Sequence, residues 1–199
     1  MDFLDGLNEP QRQAVEYIEG PLMIIAGAGS GKTRVLTYRT AYLIQKGIDP
    51  FSILLLTFTN KAAKEMRNRI EQVAGPQARN LWMGTFHSVF ARILRQESDR
   101  LGYPANFTIY DSEDSKNLLK GIIKEMNLDD KMYKPNMVLG RISMAKNNLI
   151  EAKNYFENVD LMNQDKAANR AKFSEIFLEY TTRCFKAGAM DFDDILLNT

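Results

Sequence analysis

The sequence predicts an α/β fold: a parallel sheet covered by helices on both faces, followed by a mainly helical second half. Three observations carry this. Short apolar runs at Pro21–Ile25, Ile53–Phe58 and Leu81–Thr85 alternate with segments whose apolar residues recur at helical spacing. A glycine-rich turn joins the first run to the first long helix. From Asp111 onward the apolar pattern is almost entirely helical.

The first helix is predicted to open at Asn8 as N-cap, with Pro10 in the first turn and Gln11 at the capping-box position. Gln11 has a second reading, because a side-chain amide offers the donor and acceptor that the edge of adenine requires. Gly20-Pro21 ends the helix, and Pro21–Ile25 reads as a buried strand.

The turn that follows is Ala26-Gly27-Ala28-Gly29-Ser30-Gly31-Lys32-Thr33. Strand, glycine loop, Gly-Lys-Thr and helix together form the P-loop pattern, with Ala26 standing where the first glycine is usual. Glycines let successive backbone N–H groups turn toward one anion, and the helix N-terminus adds partial positive charge. Lys32 is positioned by sequence to reach the β- and γ-phosphates of a nucleotide, and the Thr33 hydroxyl to ligate Mg²⁺.

Lys46–Pro50 is a predicted turn and Ile53–Phe58 a second buried strand. Thr59-Asn60 then caps a helix with Ala62, Ala63, Met66 and Ile70 toward the sheet. Its cations, Lys61, Lys64, Arg67 and Arg69, read as a solvated face. Leu81–Thr85 is the third strand, and Phe86-His87-Ser88 opens the next helix. Ligands of open α/β sheets gather at the carboxyl ends of strands. Three polar loops fall there: the P-loop, Thr57–Asn60 and Gly84–Ser88. His87, the single histidine, reads equally as a helix-entry packing residue or a ligand contact.

Gly102–Asn106 breaks the chain, and Phe107–Tyr110 is a short strand. Helices are then predicted over Ser112 to Asn127, Pro135 to about Asn148, and Gln164 to Lys186. Lys186–Met190 does not read as an apolar strand, so Asp191 is taken as the N-cap of a last helix with acidic residues in its first turn. The lone Cys184 excludes an internal disulfide, reads as core, and fits a reducing cytoplasm. Hydrophobic residues are 45% and charged residues 26%, with no apolar run long enough for a membrane span and no signal-peptide pattern at Met1–Asp5. The net charge of +1 does not announce a nucleic-acid binder, so any such surface must be local.

Taken together, Leu7-Asn8 with Gln11, the loop Ala26–Thr33, Thr57–Ala63, Gly84–Ser88 and Asp191-Phe192-Asp193-Asp194 resemble the N-terminal part of UvrD/Rep/PcrA-type superfamily 1 DNA helicases, along the whole chain. The resemblance implies a RecA-like ATP-binding domain over residues 1–109, an inserted helical subdomain over 110–188, and a return to the RecA-like domain over 189–199. It implies that Gln11 recognises adenine, that residues 26–33 bind ATP with Mg²⁺, and that Arg34 touches the nucleotide. It further implies that Phe58, Thr59, Asn60, Thr85 and His87 contact single-stranded DNA.

The family's Walker B strand, ending in Asp-Glu, has no counterpart in these residues, nor has a second RecA-like domain. The expectation is an N-terminal portion of a cytoplasmic ATP-dependent 3′–5′ helicase or translocase, with little hydrolysis by the portion alone. Such an enzyme would act on single-stranded DNA and single-strand/duplex junctions in repair or replication, with no membrane partner. The alternatives are a self-contained P-loop nucleotide-binding protein or kinase, and the helicase part of a helicase–nuclease.

Overall fold

A computed structural model describes residues 3–199; Met1 and Asp2 of the acidic start lie outside them. The chain divides into two compact units, Met1–Val89 and Phe90–Thr199.

In the first unit, α1 (Glu9–Glu16) begins with the expected capping box: the Asn8 side chain accepts from the Gln11 N–H, and the Gln11 side chain accepts from the Asn8 N–H. The segment 21–25 departs from expectation, because it is irregular rather than a strand. Ile24 packs against Leu4, Val15 and Val35, while Met23 and Ile25 are 83% and 90% exposed. The apolar run does have an inward and an outward side. A strand, however, exists only through its neighbour's hydrogen bonds, and no strand among the described residues pairs with this segment.

Helix α2 (Lys32–Gln45) follows the glycine loop, and a 3₁₀ turn at Pro50–Ser52 leads to β1 (Leu54–Thr57). Helix α3 (Asn60–Ala74) buries Met66 and Ile70, as its spacing predicts. Strand β2 (Trp82–Thr85) pairs in parallel with β1, matching Leu54 with Trp82 and Thr57 with Thr85. Ile44, Ile53, Met66, Ile70, Leu81 and Met83 form the core beneath this pair. The boundary between the units falls within α4 (Phe86–Gln96).

The second unit continues with the one-turn α5 (Ser98–Leu101), β3 (Thr108–Tyr110), α6 (Ser112–Glu125), α7 (Pro135–Asn147) and the short α8 (Ala152–Tyr155). The predicted helix from Gln164 to Lys186 is two helices, α9 (Val159–Ala167) and α10 (Phe173–Lys186). Asn169 adopts a positive φ of 56° between them, a conformation no helix tolerates. Leu119, Ile122, Val138, Ile142, Phe173, Ile176, Phe177 and Tyr180 fill the main core, and Cys184 is buried with them.

The chain then forms β4 (Ala189–Asp191), which pairs in parallel with β3 and is fully buried. This corrects the reading of Lys186–Met190 as non-strand. Three residues are too few to show a pattern, and Gly188, at φ 59°, sets the turn into them. Asp191 does cap α11 (Phe192–Leu197) as expected, in a capping box with Asp194.

The sequence does not foretell the partner of these acids. Lys146, on α7, is buried with its ammonium 2.8 Å from Asp191 and 2.7 Å from Asp194. The Tyr180 hydroxyl, from α10, also lies 2.8 Å from Asp191 and 3.0 Å from the Ser115 hydroxyl of α6. Burial disfavours both carboxylates, but Lys146, with the Asp194 N–H and Tyr180, holds Asp191 below the ordinary carboxylate range. Asp194 is pushed up to about 6, chiefly by burial, with Asp191 adding repulsion against the attraction of Lys146.

Two outcomes follow. Lys146→Ala strands two buried carboxylates and should cost about 3–5 kcal/mol in urea unfolding; a loss below about 1 kcal/mol would refute this role. The folded pKa of Asp194 lies above its unfolded value, so its contribution is complete at low pH and is lost as pH rises through about 6. From pH 5 to pH 7 this group should cost about 1 kcal/mol, read as the difference between the stability–pH profiles of wild type and Asp194→Asn.

Candidate functional site

The residues singled out from sequence fall into two clusters, both in the first unit. The first is the glycine loop. Gly29 and Gly31 have φ of 76° and 89°, which residues with a side chain rarely adopt. The Ser30 hydroxyl donates to the Gly27 carbonyl at 2.6 Å. The Lys32 ammonium donates to the carbonyls of Ala26 and Gly27 at 2.6 and 2.7 Å. Gln11 reaches the loop as well, its amide nitrogen donating to the Ser30 carbonyl at 3.1 Å.

Gly31 is the N-cap of α2, and no side chain caps the helix there. An uncapped N-terminus of a 14-residue helix leaves N–H groups and a partial positive charge facing outward. With Lys32 alongside and the loop exposed, this arrangement fits an anion of phosphate type. Thr33, also exposed, stands in the first turn, where its hydroxyl can serve a cation bound to that anion. The Arg34 guanidinium lies over the Tyr38 ring, 5.5 Å from its centroid. It also abuts Gly6, where an added Cβ would meet the guanidinium at 2.7 Å.

The second cluster lies at the carboxyl ends of β1 and β2. Because Thr57 is paired with Thr85, the turn Phe58–Thr59 into α3 and the first residues of α4, Phe86–Ser88, leave the sheet side by side. Phe58 is 90% exposed, and its ring stands 5.5 Å from that of Phe86. The Thr59 hydroxyl caps α3 by accepting from the Ala62 N–H, and Asn60 is exposed beside it. Thr85 and Ser88 lock the start of α4: their hydroxyls are 3.0 Å apart, and the Ser88 hydroxyl donates to the Thr85 carbonyl at 2.9 Å. His87 is half-buried in the first turn of α4.

Two members of this cluster escape the sequence reading. Phe86 sits inside a segment that draws attention to His87, yet its ring is the neighbour of the exposed Phe58. Arg67, expected on a solvated face, donates to the Met83 carbonyl at 2.9 Å and ties α3 to β2. Its spacing from Met66 gives no sign of this, because a long side chain can bend back over the sheet edge.

A glycine loop at a helix N-terminus can receive an anion, and an exposed aromatic ring at a neighbouring strand end offers a face for stacking. Residues 7–199 match the UvrD/REP helicase N-terminal domain, and the chain belongs to that family. It is 46% identical over 197 residues to the ATP-dependent DNA helicase PcrA of Bacillus subtilis (strain 168). It is 44% identical over 197 residues to the PcrA of Staphylococcus aureus (strain COL), and 43% identical over 195 residues to that of Staphylococcus epidermidis (strain ATCC 12228 / FDA PCI 1200). Each alignment covers 98% of this chain and 26% of the relative, so the chain spans about a quarter of the length of these curated relatives.

Gly84 offers a direct test of the second cluster. A Cβ there would come within 2.5 Å of the Ser88 Oγ and 3.0 Å of the Val89 Cγ2. Gly84→Ala should destabilise the protein by about 1–3 kcal/mol. Adding Ser88→Ala removes the nearest obstacle, so the double variant should lose less than the sum of the two single variants. Additive losses in thermal unfolding would show that the Ser88 contact does not set the requirement for glycine.

Proposed function

We propose that the chain is the ATP- and single-stranded-DNA-binding portion of an ATP-dependent DNA helicase that moves 3′ to 5′ and serves DNA repair or replication in the cytoplasm. The observation that carries this reading is the pairing of Thr57 with Thr85, which sets the exposed Phe58 and its neighbour Phe86 together at the carboxyl edge of the sheet. An exposed aromatic ring at such an edge is a platform on which a base can stack without regard to sequence. The names of the relatives, each an ATP-dependent DNA helicase, agree with it.

In this reading the N–H groups of residues 26–31 and the ammonium of Lys32 hold the phosphates of ATP, Thr33 holds Mg²⁺, and Arg34 touches the nucleotide. Gln11 recognises adenine. The bound nucleotide supplies the energy of a phosphoanhydride bond, and Mg²⁺ neutralises charge on its phosphates. Phe58 takes a base, while Thr59, Asn60, Thr85 and His87 hold phosphates and sugars, which positions the strand without reading it. Residues 1–109 and 189–199 form the RecA-like part and 110–188 its inserted helical subdomain, directed at single-strand/duplex junctions.

Two substitutions separate the sites. Lys32→Ala should abolish ATP binding in calorimetry and leave single-strand binding in the absence of nucleotide intact. Phe58→Ala should weaken single-strand binding by about 1–3 kcal/mol and leave ATP affinity unchanged. A wild-type chain that binds ATP but shows no salt-dependent single-strand binding would refute the nucleic-acid half of the proposal.

A further inference from the structure

Gln11 is engaged at both ends of its amide. Its Oε1 accepts from the Asn8 backbone N–H at 3.2 Å, which closes the capping box of α1. Its Nε2 donates to the Ser30 carbonyl at 3.1 Å. The amide also lies against Gly31, where an added Cβ would stand 2.8 Å from Nε2. Thus the first turn of α1 is hydrogen-bonded to the phosphate loop, 19 residues on, at the residue that precedes the N-cap of α2.

The chemistry of that contact is specific. The Ser30 carbonyl and the Gly31 N–H belong to one planar trans peptide, so they point in opposite directions. Fixing the carbonyl fixes the N–H. Gly31, at φ 89°, has no side chain to restrict its backbone, so the peptide takes its orientation from outside contacts. Gln11 supplies one from α1. A side-chain amide has a second N–H and a second lone pair, so holding the loop and reading a base do not exclude each other.

We infer that Gln11 is a positioning residue for the phosphate loop: by holding the Ser30–Gly31 peptide it aims a backbone N–H at the phosphates of any triphosphate, whatever its base. The inference rests on the nucleotide-site reading above and extends it from base recognition to phosphate binding.

The test compares ATP with inorganic tripolyphosphate, which has the phosphates and no base. Gln11→Met keeps the length of the side chain and removes both hydrogen bonds. Its affinity for tripolyphosphate, measured by calorimetry with Mg²⁺, should fall by a factor of about three to ten, the worth of one hydrogen bond, and its affinity for ATP by at least as much, since the adenine contact is lost too. Asn8→Ala is the control. It removes the side-chain cap of α1 but keeps the backbone N–H that holds Oε1, so it should lower the melting temperature and leave tripolyphosphate affinity unchanged. A loss for ATP alone would make Gln11 a base reader only and overturn the inference. An equal loss in Asn8→Ala would assign the effect to the stability of α1 and overturn it too. A wild-type protein that binds neither ligand would remove the nucleotide site itself, and the inference with it.

Discussion

Parallel pairing of Leu54–Thr57 with Trp82–Thr85 decides where the chemistry of the first unit falls. Parallel strands run the same way, so both deliver their following loops to the same edge of the sheet. The register then places Thr57 opposite Thr85, and the residues that follow the two strands, Phe58 and Phe86, become neighbours. A shift by one residue would turn Met83, now buried, to the opposite face, so the core beneath the pair protects the register. Arg67 adds a hydrogen bond from α3 to the Met83 carbonyl, two residues before the edge. The exposed ring of Phe58 is therefore held by a scaffold that gains its stability elsewhere.

The second unit is organised by a different constraint. Lys146, Asp191 and Asp194 bring one positive and two negative groups into a core. Burying charge is costly, and such a cluster is weak evidence of added stability. Its value lies in what it selects. Lys146 comes from α7, Tyr180 from α10, Ser115 from α6, and the two acids from the start of α11, so one arrangement of four helices satisfies all of them. Apolar contacts at Leu119, Ile142 and Phe177 tolerate small shifts between helices. Hydrogen bonds of 2.7–3.0 Å do not.

Much of this was legible in the residues, and what was hidden has physical causes. Caps were readable because they are local: Asn8 with Gln11, Thr59, and Asp191 with Asp194 all bond within three residues. The glycine turn into α2 was readable because clustered glycines just before a helical pattern mark a helix start. Pro21–Ile25 misled, because an apolar run reports what a segment buries and not which strand lies beside it. The join between α9 and α10 was missed because Asn169 can adopt positive φ without looking like a breaker. The link from Lys146 to Asp191, 45 residues away, and that from Gln11 to Ser30 are long-range, and no spacing rule announces them.

The glycine loop is hydrogen-bonded to itself. Two of the three N–H donors of Lys32 are occupied by the carbonyls of Ala26 and Gly27, and Ser30 turns its hydroxyl back to Gly27. In the proposed reading, a phosphate competes for Lys32 with these neutral oxygens. It wins on strength, because an ammonium–phosphate bond carries charge on both sides and is roughly twice as strong as a bond between neutral groups. It wins on placement too, since the uncapped start of α2 offers N–H groups that no side chain claims. The carbonyl bonds keep Lys32 at the mouth of the loop instead of extended into water. The entropy of ordering a long flexible chain is thus largely spent in the fold itself, and in that reading a phosphate need only redirect an ammonium already in place.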